Sequence, residues 1–203
     1  MSKTICLIDY NAGNIMSLYH TVSKISQYKT IISNDIEDVK NADYLILPGV
    51  GSYSYVSHYL AEKRLDKTLK EAMIDYQKPI LGICLGMQIL FESSDEFGYS
   101  KGLGIFKGNV KQMPDDKSYP LPNIGWREVL MDPDSGIPFK NGWYYFAHSY
   151  HVTDQDSEIV VGTSNYGIQF PAVVNYHNFY GVQFHPEKSS ESGIQFFKTF
   201  FEI

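Results

Sequence analysis

The chain has little that would staple, anchor or charge it. Its 203 residues include two cysteines, Cys6 and Cys84, too few for a disulfide framework. Each sits in an apolar, strand-like run, so the sequence reads as a protein of a reducing compartment. No apolar stretch reaches the ~18 residues of a membrane span. Met1-Ser2-Lys3-Thr4 leads directly into a strand, without the apolar segment of a signal peptide. The expectation is a soluble, cytoplasmic protein with no membrane partner. Basic residues are also short: 17 Lys and Arg against 23 Asp and Glu give a net charge of −6, which offers no footprint for nucleic acid. Neither cysteine has a second ligand at metal spacing, which removes a zinc site. Gly49-Val50-Gly51 lacks the third glycine of a dinucleotide fingerprint. No repeat, linker or low-complexity tract interrupts the sequence, so residues 1–203 read as one domain, long enough to bury a core without cross-links.

What is present is a strand–helix rhythm followed by a β-rich half. Thr4 to Tyr10, Lys29 to Ser33 and Tyr44 to Leu47 read as strands. Ile15, Leu18, Val22 and Ile25 follow the first at helical spacing, and Ile36 and Val39 leave room for a short helix after the second. Helix is expected from about Tyr53 to Tyr76 with a break near Glu62-Lys63. From Gly104 the chain reads as short strands at Ile105–Met113, Trp126–Met131, Trp143–Tyr150, Glu158–Thr163, Ala172–His177 and Phe179–Phe184. A last amphipathic helix places Ile194, Phe197, Phe200 and Phe201 together. The fold class is α/β: an open, mostly parallel, flavodoxin-like sheet with helices on both faces and a β-rich C-terminal half.

The informative stretch is Pro79 to Phe91. Ile80 to Ile83 is an apolar run of the kind that forms a buried parallel strand, and Gly82-Ile83-Cys84-Leu85-Gly86 has the form of a nucleophile elbow with Cys at its centre. A thiol there projects from the end of the sheet beside a helix N-terminus, where backbone N–H groups favour thiolate. Alone, Cys84 reads equally well as a small buried core residue.

His185-Pro186-Glu187 closes the last strand, and the two-residue offset points both side chains to one side. A Cys nucleophile needs a base, and the base needs a group to fix its tautomer. His-x-Glu supplies both, whereas His148 and His177 lack a nearby acid at a suitable offset. The N–H groups of Gly49-Val50-Gly51 can converge with that of Leu85 on a developing oxyanion.

Together, Gly-Ile-Cys84-Leu-Gly-Met-Gln, Pro48-Gly-Val-Gly and His185-Pro-Glu187-Lys-Ser resemble the three motifs of the class I glutamine amidotransferases. Asn11-Ala-Gly-Asn14-Ile, Leu121-Pro-Asn-Ile-Gly-Trp126 and Tyr145-Phe-Ala-His148-Ser149-Tyr150 are similar to the glutaminase subunits of imidazole glycerol phosphate synthases. The resemblance implies a Cys84–His185–Glu187 triad hydrolysing L-glutamine, with Val50, Gly51 and Leu85 at the oxyanion and Gly49, Gln88, Glu96, Ser149 and Tyr150 around the substrate. It implies no metal and no organic cofactor. It also implies a heterodimer with a (β/α)₈-barrel cyclase/synthase subunit, with Asn14, Trp126 and Lys188 on the shared face. From the residues alone, Trp126 reads as core. Two departures from the family pattern are Asn123 in place of a usual His and Asn11 in place of a commoner Gly. Three alternatives stay open: a paralogous subunit supplying ammonia for polysaccharide sugars, a free-standing hydrolase of the same superfamily, and a catalytically silent regulatory subunit.

Overall fold

The computed structural model describes residues 3–72 and 78–203. The first half alternates strand and helix: β1 (Thr4–Ile8), α1 (Met16–Ile25), β2 (Lys29–Ser33), α2 (Ile36–Asn41), β3 (Tyr44–Leu47), α3 (Tyr53–Glu62), α4 (Leu65–Glu71), β4 (Ile80–Ile83) and α5 (Leu85–Gln88). The second half adds β5 (Ser93–Ser94), β6 (Ser100–Lys101), β7 (Asn109–Gln112), β8 (Asn123–Met131), β9 (Gly142–His148), β10 (Tyr150–Thr153), β11 (Val160–Tyr166), β12 (Ile168–Tyr176), β13 (Phe179–Val182) and α6 (Ser190–Phe200).

One nine-stranded sheet runs β2-β1-β3-β4-β13-β12-β11-β8-β9. Its first five strands are parallel; β1, β3, β4 and β13 are short apolar runs buried on both faces, and β2 forms the half-exposed edge. The remaining four continue it antiparallel. Alternation along β1 sends Ile5 and Leu7 into the apolar cluster that holds Leu18 and Val22 of α1 and Phe196 and Phe197 of α6. Cys6 and Ile8 face the opposite cluster, with Val56 and Leu60 of α3 and Leu65 and Leu69 of α4. On α6 it is Phe196 that is buried beside Phe197 and Phe200, while Ile194 lies at the margin.

The expected break between α3 and α4 falls at Lys63-Arg64, where Arg64 takes a left-handed φ of 59°. The expected end of that helical region at Tyr76 lies outside the described residues. The strand expected over Ile105–Met113 shortens to β7, because the N–H groups of Leu103, Gly104, Ile105 and Phe106 bond to carbonyls of Ile89, Leu90 and Phe91 instead of to a neighbouring strand. A second, four-stranded sheet runs β10-β7-β5-β6, and its β5 lies inside the acidic stretch from Glu92 to Glu96. No helix among the described residues is long and apolar enough to cross a membrane.

Candidate active site

The site begins at the turn between β4 and α5. Cys84 follows the last residue of β4 and takes φ 50° and ψ −106°, a conformation that costs a non-glycine residue of order 1–3 kcal/mol. The neighbouring glycines let the turn close around it. A Cβ on Gly86 would lie 2.0 Å from the Leu47 carbonyl oxygen, and one on Gly82 would lie 2.4 Å from that of Gly86. The strain sits on the cysteine itself, and the glycines supply space. The helix that follows is a single turn, so its dipole is small and the thiol depends on its side-chain neighbours.

Those neighbours are assembled by β13 and the turn after it. Cys84 donates its backbone N–H to the Val182 carbonyl at 2.7 Å, tying the elbow to β13. Three residues beyond Val182, His185 leads into a 3-10 turn, Pro186–Lys188. This turn, not strand alternation, brings Glu187 back to His185: Nδ1 of the imidazole lies 2.8 Å from Glu187 Oε1, with both side chains nearly buried. Ser189 Oγ closes the turn, donating to the His185 carbonyl at 2.7 Å and accepting the Tyr145 N–H at 2.9 Å. With Nδ1 on Glu187, the imidazole pairs with Cys84. Burial pulls its pKa down, but the charge and hydrogen bond of Cys84 and those of Glu187 outweigh burial and push it up to about 10. The arrangement favours an imidazolium beside the sulfur.

Gly49 borders both groups. A Cβ there would stand 2.8 Å from Cys84 Cβ and 3.1 Å from His185 Cε1, so only glycine leaves the cleft open. Among the described residues the N–H groups of Leu85, Val50 and Gly51 donate to no protein acceptor. Glu96 accepts the Tyr53 N–H at 2.6 Å through Oε2, which seats it at the head of α3 just past the Gly49–Ser52 loop; Oε1 has no hydrogen-bond partner among the described residues. Gln88 is buried and spends its amide protons on the Tyr150 carbonyl at 2.8 Å and on Gln183 Oε1 at 3.0 Å. Ser149 accepts the Met113 N–H through its carbonyl.

Gln183 does not stand out by motif, yet it is fully buried and points its amide nitrogen at Cys84 Sγ, 3.6 Å away. The available signal is a polar residue inside the apolar run Tyr180–Phe184, which requires a buried partner. His148 is excluded as a base for Cys84. Its Nδ1 lies 2.9 Å from the Tyr150 carbonyl and its Nε2 2.9 Å from Asn123 Nδ2, and burial is the main cause that lowers its pKa to about 4. His177 lies in the turn between β12 and β13, at the other end of β13.

Asn14, Trp126 and Lys188 are all exposed. Asn14 accepts the Met16 N–H at the start of α1. Trp126 is 41% exposed, not core, and its ring meets that of Tyr145 edge-on at 6.2 Å. The turn carrying Lys188 packs against both α1 and β9, so the three residues come from adjoining elements. Ile124 and Leu130 extend this outer face along β8, and Trp143 extends it along β9. Both departures have a structural account. Asn11 keeps a left-handed φ of 54° and donates to Tyr59 Oη at 3.2 Å, and Asn123 donates to His148 from a fully buried position.

Comparison with known proteins agrees over nearly the whole chain. The family model "Glutamine amidotransferase class-I" matches residues 6–203. The HisH subunit of imidazole glycerol phosphate synthase from Geobacillus sp. (strain WCH70) is 41% identical, over 98% of this chain and 96% of that protein. The HisH subunit from Methanocaldococcus jannaschii is 43% identical, over 98% and 99%. In fold, the chain superposes on PurLQS from Thermotoga maritima with a TM-score of 0.76 at 20% identity, covering 100% of this chain and 99% of that one. The chain belongs to the class I glutamine amidotransferases and, among them, to the HisH subunits of imidazole glycerol phosphate synthase.

Proposed function

We infer that the chain hydrolyses L-glutamine to glutamate and ammonia through Cys84, His185 and Glu187. The observation that carries this is the His185 imidazole held between Glu187 Oε1, at 2.8 Å, and Cys84. The Cys84 sulfur attacks the side-chain amide carbon, and the electron pair moves onto the carbonyl oxygen, which takes N–H bonds from Leu85 and from Val50 or Gly51. His185 gives its proton to the departing nitrogen, ammonia leaves, and a thioester remains. Neutral His185 then takes a proton from water, which attacks the thioester, and glutamate departs as the sulfur is restored. Glu187 keeps the proton of Nδ1 in place throughout. Glu96 Oε1 suits the substrate ammonium, and Gly49, Gln88, Ser149 and Tyr150 complete its pocket. No metal or organic cofactor enters these steps.

The ammonia passes to a (β/α)₈-barrel cyclase/synthase subunit for imidazole glycerol phosphate formation in histidine biosynthesis, and the two form a heterodimer in the cytoplasm. The exposed apolar face of Ile124 and Trp126, flanked by Asn14 and Lys188, supports a docked partner on this side. The test is glutamate release from L-glutamine by wild type and by Cys84→Ala, each with the barrel subunit that co-purifies with it. Loss of release in the variant is expected; turnover undiminished in Cys84→Ala would falsify the assignment.

A further inference from the structure

We propose that Gln183 is a positioning residue that aims the Cys84 sulfur, and that Gln88 fixes the direction in which its amide points. This rests on the reading of Cys84 as the nucleophile and adds a residue outside the triad, the oxyanion loop and the substrate pocket. Gln183 follows β13 directly, donates its backbone N–H to Ala172 and is fully buried. Its Nε2 faces Cys84 Sγ at 3.6 Å and its Oε1 accepts from Gln88 Nε2 at 3.0 Å.

The direction of this amide is over-determined. Gln88 Nε2 gives its other proton to the Tyr150 carbonyl at 2.8 Å, and an amide nitrogen can only donate. Gln183 must therefore turn its oxygen to Gln88 and its N–H toward the sulfur; the reverse orientation would set two amide nitrogens against each other and an oxygen against Cys84. The Tyr150 carbonyl is itself held by a second contact, His148 Nδ1 at 2.9 Å, whose Nε2 meets Asn123 Nδ2 at 2.9 Å. With its amide nitrogen donating, Asn123 leaves Nε2 as acceptor and puts the ring proton on Nδ1. The chain Asn123, His148, Tyr150, Gln88, Gln183 thus links β8, beside the exposed Ile124 and Trp126, to the thiol.

An N–H aimed at the sulfur stabilises its charge and selects one rotamer. Sulfur without this contact reaches the substrate carbon less often, whereas glutamine binding is spared, because Gln88 stays held by the Tyr150 carbonyl.

The experiment compares Gln183→Met and Gln183→Glu with wild type in the presence of the barrel subunit. It reads glutamate release, thermal melting, and the rate of Cys84 labelling by iodoacetamide at pH 7. Methionine fills the same volume without a donor, and glutamate keeps the acceptor for Gln88 but turns a second acceptor to the sulfur. In both, kcat is expected to fall about 10- to 100-fold, the range of a hydrogen bond to a charged group, with KM changed less than about threefold. Labelling is expected to slow about fivefold or more, on the same grounds. A merely structural role would lower the melting temperature and speed labelling by loosening the site. If either folded variant keeps wild-type kcat and labelling, the proposal is overturned. Cys84→Ala separates the two readings: if it is inactive and the Gln183 variants match wild type, only the role of Gln183 fails, whereas if it turns over glutamine, the nucleophile assignment fails first.

Discussion

Cys6 lies on β1 and Cys84 just past the end of β4, strands of one sheet with only β3 between them, and both cysteines are buried. Their chemistry is nonetheless opposite. Cys6 sits inside β1, faces the apolar cluster behind the sheet, and has the Leu7 carbonyl 3.9 Å from its sulfur. Burial, reinforced by the charge of Asp38, pushes its thiol up to about 12. Cys84 sits one residue past its strand, in a strained turn, with the His185 imidazole and the Gln183 amide directed at it. Burial fraction and residue type do not separate the two. What separates them is the end of a parallel strand, where backbone direction and neighbouring loops converge.

Substitution of each cysteine gives the largest contrast. Cys84→Ala removes the proposed nucleophile and is expected to lower glutamine turnover with the barrel subunit by about 10³-fold or more, while melting stays near wild type. Cys6→Ala is expected to leave turnover within about twofold and to cost about 1 kcal/mol of stability for the lost buried sulfur. Equal activity losses in the two variants, measured by steady-state glutamate release, would erase the distinction.

Gly49 tests whether crowding alone converts Cys84 into an inert thiol. In Gly49→Ala the added carbon meets Cys84 Cβ and the Ile83 carbonyl oxygen, each at 2.8 Å, so the loop must retreat from both thiol and imidazole. An angstrom of misplacement costs about 100-fold. The expected result is a loss of that order in kcat/KM, with Cys84 labelled by iodoacetamide more slowly than in wild type. Glu187→Gln acts more gently: the ring keeps an acceptor for Nδ1 but loses the charge that supports the imidazolium. About 10- to 100-fold lower kcat is expected, with KM little changed; wild-type kcat would mean that the Cys84 charge alone holds His185.

The sequence made the parallel half legible because Ile5–Ile8, Tyr44–Leu47 and Ile80–Ile83 are uninterrupted apolar runs between turn residues. The elbow was legible for a different reason: Gly82 and Gly86 flank Cys84 at the spacing its two close approaches demand. The second sheet was not. Ser93-Ser94 and Ser100-Lys101 are two-residue strands with neither apolar alternation nor β propensity, and side-chain contacts such as Ser93 Oγ to Asn109 Oδ1 help hold them. The two-residue offset of His185 and Glu187 suggests the alternation of a strand, whereas a 3-10 turn brings them together. Trp126 shows the limit of composition: read residue by residue it belongs to a core, yet it shares the outward face of β8 with exposed Ile124 and Leu130. Gln183 could have been found by asking what satisfies a polar side chain in a buried run.

The smallest effect concerns Cys6 alone and appears only at alkaline pH. Its thiol ionises near 9.0 when unhindered but near 12 in the fold, so above pH 9 the unfolded chain loses a proton that the folded chain keeps. Stability from this group is complete below pH 9 and declines as pH rises toward 12, by about 1.4 kcal/mol per unit. Buried Tyr10, Tyr53 and Tyr144 are raised in the same way and add to the decline, so wild type alone does not isolate the cysteine. Urea midpoints of wild type and Cys6→Ala between pH 8 and 10.5 do. The wild-type advantage of about 1 kcal/mol should shrink and then reverse as pH rises, a relative change of about 1.4 kcal/mol by pH 10, because only wild type carries the thiol penalty. Parallel curves would mean that Cys6 ionises within the fold, and the contrast with Cys84 would then rest on placement alone.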